Sequence, residues 1–275
     1  MLKDITLGQF FPGSSLLHKL DARFKIILML AFVILVFFAK NLTSFVYLLL
    51  LVIAMALLSR ISLKVLLQGL KPIVMISVFT AIINLFWTVG ETPLFEFGFI
   101  RIYSEGIWRA IYMMIRIISL VMGTSILLTY TTSPMDLTDA LESLLSPLKK
   151  IHVPVHEFSM MMSLALRFVP TLIEETEKII NAQKARGADF ESGNLLSRAK
   201  SLIPILIPLF VSSFSRATDL AVAMECRCYV GGEGRTRMRV MRFTSRDVLV
   251  FLFFLMLFAG IPLISLISLP FGALI

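Results

Sequence analysis

Two apolar runs, "IILMLAFVILVFFA" (26–39) and "LTSFVYLLLLVIAMALL" (42–58), are separated only by Lys40 and Asn41. A membrane-crossing helix takes about 20 apolar residues, so the pair is too long for one crossing. The polar break at its centre predicts a tight helical hairpin. Further apolar runs lie within 72–89, 107–129 and 248–267. The chain has 275 residues, of which 57% are hydrophobic and 16% charged. Soluble domains rarely carry so few charges, which makes the bilayer the expected solvent. The polar start is followed directly by a run long enough to span, and no cleavable signal peptide is evident.

The expected fold class is an all-α membrane protein. It has about five transmembrane helices, plus long cytoplasmic coupling helices between spans four and five. Charge sets the orientation, because cytoplasmic loops of membrane proteins are enriched in Lys and Arg. Lys3, Lys19, Arg23 and Lys25 precede the first run, and Arg60, Lys64 and Lys71 follow the second. Segment 90–106 is acidic, with Glu91, Glu96 and Glu105 against Arg101. Segment 231–246 carries Arg235, Arg237, Arg239, Arg242 and Arg246 against Glu233. A cytoplasmic amino terminus and an external carboxyl terminus put every basic cluster inside. The resulting plan is a cytoplasmic segment at 1–25, four spans in 26–130, a cytoplasmic coupling domain at 131–243 and a last span in 244–275. The net charge of +8 then reflects the positive-inside rule and not nucleic-acid binding.

Within 131–243 the composition predicts two long helices. One covers 153–186, opened at Pro154, bent at Pro170 and stopped at Gly187. The other covers 195–227, with Pro204 and Pro208 early, Arg227 at its end and Gly231–Gly232 beyond. Residues 202–224 are apolar enough to suggest a sixth span. Arg216 and Asp219 inside it argue against that, as does the basic cluster a sixth span would send outside. Both helices are more apolar than a water-facing helix requires, so they are expected to pack together along the membrane or against another membrane protein.

Several chemistries find no footing. No GxxxxGK[ST] occurs, so the chain has no phosphate-binding loop of its own. The five runs hold no Asp or Glu in their interiors, where ion-coupled carriers place a carboxylate. That weakens a stand-alone carrier working without ATPases. His152 and His156 are spaced to share a metal, yet Pro154 lies between them and no carboxylate or thiol pair is near in sequence, so no metal site is assigned. Cys226 and Cys228 fall short for the same reason and form no disulfide framework. A membrane enzyme using Arg116 or the cysteines lacks an acid–base pair. Arg116, deep in the fourth run, calls for a carbonyl or other polar partner, and Arg109 lies one heptad earlier.

The features that remain are two arginines. Either Arg186 or Arg227 alone is explained as a cation at a helix carboxyl end, worth roughly 0.3–1 kcal/mol. As a pair ending two matching helices they read as two plugs, since the planar guanidinium grips carboxylates and carbonyls in a way lysine cannot. Met160, Met161, Met162 and Met224 serve either as gap-fillers or as an adaptable surface for several partners.

"PGSSLLHKLDARFKI", the block from "TTSPMDLTDALESLLSPLKKIHVPVHEF" to "IINAQKARGADF", and "AMECRCYVGGEGRTRM" resemble the transmembrane T components of energy-coupling factor (ECF) transporters. The resemblance covers nearly the whole chain. It implies a subunit linking two cytoplasmic ABC-type ATPases to a small membrane-embedded S component that captures a vitamin or similar micronutrient. One S component, or several that share the subunit, would dock on the methionine-rich face. The family's two Ala-Arg-Gly-like motifs, which insert into the ATPases, correspond to Ala185-Arg186-Gly187 and to Cys226-Arg227-Cys228. The second keeps the arginine and replaces both flanks. The resemblance further implies that the chain carries no cofactor and does no chemistry, with ATP and Mg held by the partner ATPases.

Overall fold

The computed structural model describes residues 10–88, 93–97, 100–188, 190, 194, 196, 200–231 and 244–267. The basic residues Arg235 to Arg242, together with Lys3, Glu91 and Gly232, lie outside them. The chain divides into two compact units, one built from 8–137 and 241–275 and the other from 138–240.

In the first unit, α1 (Leu16–Lys19) leads to α2 (Ala22–Val36), whose N-cap Asp21 accepts from the Arg23 amide at 2.9 Å. The polar break at Asn41 starts α3 (Leu42–Ser59), where the Asn41 amide donates to Ser44 Oγ at 3.1 Å. α4 (Leu63–Trp87) follows, then the hairpin β1 (Pro93–Phe97) and β2 (Ile100–Tyr103). α5 (Ser104–Thr124) continues through a π turn at Ser125–Thr129, closed by the Tyr130 amide on the Ser125 carbonyl at 2.9 Å. α6 (Pro134–Leu145) bridges the two units in sequence. With α9 (Ser245–Ile267) the chain returns to the first unit.

The core of this unit joins α2, α3, α5 and α9. Phe32, Phe45, Leu48, Ile126, Leu127, Phe258 and Ile261 are almost wholly buried. The Phe32 and Phe258 rings lie 5.2 Å apart. Phe32 also packs so closely on Gly123 that a side chain there would collide with its ring. Polar bonds tie distant segments together: Asn41 Nδ2 donates to the Ser265 carbonyl at 3.0 Å, and Tyr47 Oη to the Leu257 carbonyl at 2.8 Å.

In the second unit, a 3₁₀ turn at Ser146–Ile151 leads to α7 (Val155–Ala185), and α8 (Ile203–Cys226) packs against α7.

Among the described residues the protein is all-helical apart from the short hairpin, and five helices are long and apolar enough to cross a bilayer. Four of them coincide with runs expected from sequence, and one does not. The first run is a helix of only 15 residues, about 22 Å of rise against a hydrocarbon core of about 30 Å. Its place in the set is taken by Ile203–Cys226, whose length and composition qualify despite Arg216 and Asp219. The third run begins at Leu63 and not at 72, because Pro72 sits inside the helix instead of opening it. Neighbouring side chains and local adjustments let apolar helices tolerate such prolines. The acidic segment 90–106 contains the antiparallel hairpin, pairing Glu96 with Arg101, which charge alone did not foretell.

Candidate functional site

The second unit carries the two arginines. α7 has Pro154 at its N-cap and accommodates Pro170 within its length. It ends at Ala185 with Arg186 as C-cap. The Ala188 amide donates to the Gln183 carbonyl at 3.0 Å and the Gly187 amide to the Lys184 carbonyl at 3.0 Å. Gly187 takes the left-handed conformation, φ 85°. These are the two bonds of a Schellman ending.

α8 ends in the same way. Arg227 is the C-cap, the Tyr229 amide donates to the Met224 carbonyl at 3.0 Å, and the Cys228 amide to the Glu225 carbonyl at 2.8 Å. Cys228 fills the left-handed position that glycine fills in α7, with φ 53°. Ala185, Arg186 and Gly187 are exposed, and so are Cys226, Arg227 and Cys228. Neither arginine forms an ion pair among the described residues. Each projects from a helix end whose orphan carbonyls favour a cation.

The bodies of the two helices are clipped together. Arg216 Nη2 on α8 donates to Glu175 Oε2 on α7 at 2.6 Å, and Ser212 Oγ donates to the other carboxylate oxygen. Arg216 and Asp219 weighed against burial of this segment in lipid; the carboxylate of Glu175 neutralises the arginine.

Met161 and Met162 are exposed on α7, whereas Met160 and Met224 are half-buried. The larger apolar surface is on α8 and was not singled out from sequence. Leu206, Ile207, Phe210, Val211 and Phe214 are each more than half exposed. Their three-and-four spacing was the available signal.

His156 Nδ1 lies 3.0 Å from Glu142 Oε1, while His152 closes the 3₁₀ turn at φ 61°. Cys226 and Cys228 are free thiols. In the first unit, Arg116 Nη2 donates to the Ala39 carbonyl at 2.7 Å, and its guanidinium stands 5.3 Å from the Phe45 ring centroid. Lys25, counted with the basic residues of the amino-terminal segment, is buried. Its ammonium donates to the carbonyls of Thr131 at 2.7 Å and His18 at 3.4 Å. Burial lowers its pKa to about 8, against the raising effect of Asp136 and Asp21.

Long apolar helices, together with two exposed, arginine-capped helix ends, define a multi-pass membrane protein. The family model described as cobalt transport protein (CbiQ) matches residues 13–238. The chain is similar to proteins named energy-coupling factor transporter transmembrane protein EcfT. That of Ruminiclostridium cellulolyticum is 56% identical over 250 residues, covering 91% of this chain and 93% of the relative. That of Thermosediminibacter oceani is 51% identical over 251 residues, covering 91% and 94%. That of Bacillus subtilis is 46% identical over 250 residues, covering 91% and 94%. The chain belongs to this family and is a transmembrane T component of ECF transporters.

Proposed function

We propose that the chain transmits ATP-driven motion from two cytoplasmic ABC-type ATPases to a membrane-embedded S component that captures a vitamin or similar micronutrient. Arg186 and Arg227 are the contacts to the ATPases, one each, with Ala185, Gly187, Cys226 and Cys228 shaping the two tips. Closure of the ATPase pair on ATP moves the tips relative to each other. The clip between Glu175, Ser212 and Arg216 passes that motion along α7 and α8. The exposed Met161, Met162 and the α8 stripe receive the S component, whether dedicated or shared. In this reading the amino terminus and the 131–243 segment are cytoplasmic, the carboxyl terminus is external, and α8 works as a coupling helix. The chain is non-catalytic; ATP and Mg belong to the ATPases.

The observation that carries this reading is the matched ending of α7 and α8, bond for bond, with an exposed arginine at the same capping position. The test is a tagged purification from the native membrane in mild detergent, with bound proteins identified by mass. Two ABC ATPases and a small, very apolar protein are expected. Recovery of the chain alone, or of a homo-oligomer, contradicts the proposal.

A further inference from the structure

Outside the coupling unit, two cavities of the first unit meet at one residue. An apolar groove of about 450 Å³ runs between α3 and α5, lined by Leu49, Val52, Ile53, Ile115 and Met122 and ending at Arg60. A polar pocket of about 350 Å³ begins there, formed with Ser14, His18 and Ser62, and Arg60 and Ile61 line both cavities.

Arg60 occupies an unusual position. It is the C-cap of α3 with φ 56° and ψ 27°, a left-handed conformation that glycine or asparagine normally fills. A side chain there is strained. The guanidinium is exposed and has no carboxylate partner among the described residues. The N-cap hydroxyl of Ser62 makes no capping bond, and Ser14 is exposed. The pocket therefore presents a cation without a carboxylate partner among the described residues and the hydroxyls of Ser14 and Ser62. His18 is already committed, lying 2.6 Å from Ser15 Oγ and 2.9 Å from the Phe11 carbonyl.

The dimensions identify the ligand. From Leu49 to Arg60 the groove follows α3 for about 16 Å of helical rise, close to the half-thickness, about 15 Å, of a bilayer's hydrocarbon core. A mainly apolar channel about one leaflet long, with Ser119 as the polar residue along its wall and a cation and hydroxyls at its mouth, matches an acyl chain below an anionic headgroup. Basic pockets between membrane helices select such headgroups. We propose that this composite site holds one anionic phospholipid, its phosphate on Arg60, Ser14 and Ser62 and one acyl chain between α3 and α5. The lipid covers the exposed faces of Ile53 and Leu57 and belongs to the leaflet on the Arg60 side.

The test uses the full chain purified with its copurifying proteins and exposed to equal amounts of phosphatidylglycerol and phosphatidylcholine. Native mass spectrometry then reads which lipid is retained. One phosphatidylglycerol should be held in preference to phosphatidylcholine by about fivefold, the scale of one added cation–headgroup contact. Arg60→Gln should abolish the preference, Arg60→Lys should keep most of it, and Ile53→Trp should lower retention of both lipids. Thermal unfolding in detergent confirms that each variant is folded. Equal retention of the two lipids by the unmodified chain overturns the proposal without any variant. So does a folded Arg60→Gln chain that keeps the preference. A photo-crosslinker at Ile53 that captures a protein segment in the native membrane, and no lipid, also overturns it.

Discussion

Gly187 and Cys228 occupy the same left-handed position, one residue past Arg186 and Arg227, with φ 85° and 53°. Glycine adopts this conformation freely, whereas any side chain is strained. Open space surrounds Gly187, so backbone conformation and not crowding sets the cost of a substitution. Gly187→Ala should therefore destabilise the α7 ending by about 1 kcal/mol. Cys228→Gly should stabilise the α8 ending by about 0.5–1 kcal/mol. Thermal unfolding in detergent measures both, and equal effects of the same sign would contradict the assignment.

Glu175 holds Arg216 and Ser212 across the α7–α8 contact. The pair is partly exposed, with side-chain accessibilities of 22% and 35%, which keeps its value between that of a surface and a buried pair. Glu175→Ala should cost about 1–2 kcal/mol. Combining it with Arg216→Ala should cost less than the sum of the single changes, because the orphaned cation is removed too. A double-mutant cycle on unfolding free energy gives the answer; strict additivity would show that the clip carries no coupling.

Arg116 holds the Ala39 carbonyl and faces the Phe45 ring. Its role is to anchor the α2–α3 connection. Arg116→Met should lower stability by about 1.5–3 kcal/mol, the scale of a hydrogen bond to a charged group. Arg116→Lys should recover only part of that, lacking the planar fork. Neither change should alter which proteins copurify with the folded chain. A stable Arg116→Met chain that fails to transport would assign the residue a direct role instead.

Lys25 titrates near pH 8 in the fold against 10.5 ordinarily. Between these values the unfolded chain holds a proton that the folded chain has released. Stability from this residue is therefore lowest below pH 8 and rises as pH climbs toward 10.5. The melting temperature of the unmodified chain should gain more between pH 7.5 and 9.5 than that of Lys25→Met. Parallel pH profiles would contradict this.

What the sequence disclosed was mostly local. Gly187 announced the stop of α7 and Asn41 the hairpin break, whereas α8 stops at Cys228, ahead of Gly231. The start of α4 stayed hidden because Lys64 and Lys71 read as loop charges ahead of the apolar run, whereas both lie inside the helix. The partners of Lys25 and Arg116 are the carbonyls of Thr131 and Ala39, far away in the chain, and a backbone carbonyl leaves no mark in sequence. Lys25 was consequently counted only with the basic residues ahead of the first run. The α8 stripe at Phe210 and Phe214 was legible as helical periodicity, but periodicity does not say whether a face is covered. At the ends of α7 and α8, residue types pointed to Arg186 and Arg227, while their matching capping bonds needed three dimensions.

The central claim is that these two arginines seat the ATPases. The most direct measurement is the amount of each ATPase retained per tagged chain for the unmodified protein, Arg186→Glu and Arg227→Glu. Both arginines are exposed, so both variants should fold. Losing a charge partner at an interface costs about 2–5 kcal/mol, a weakening of about 30-fold to several thousandfold. Each variant should therefore shed ATPase while keeping the small apolar subunit. Full retention of both ATPases by both variants would show that Arg186 and Arg227 only cap their helices.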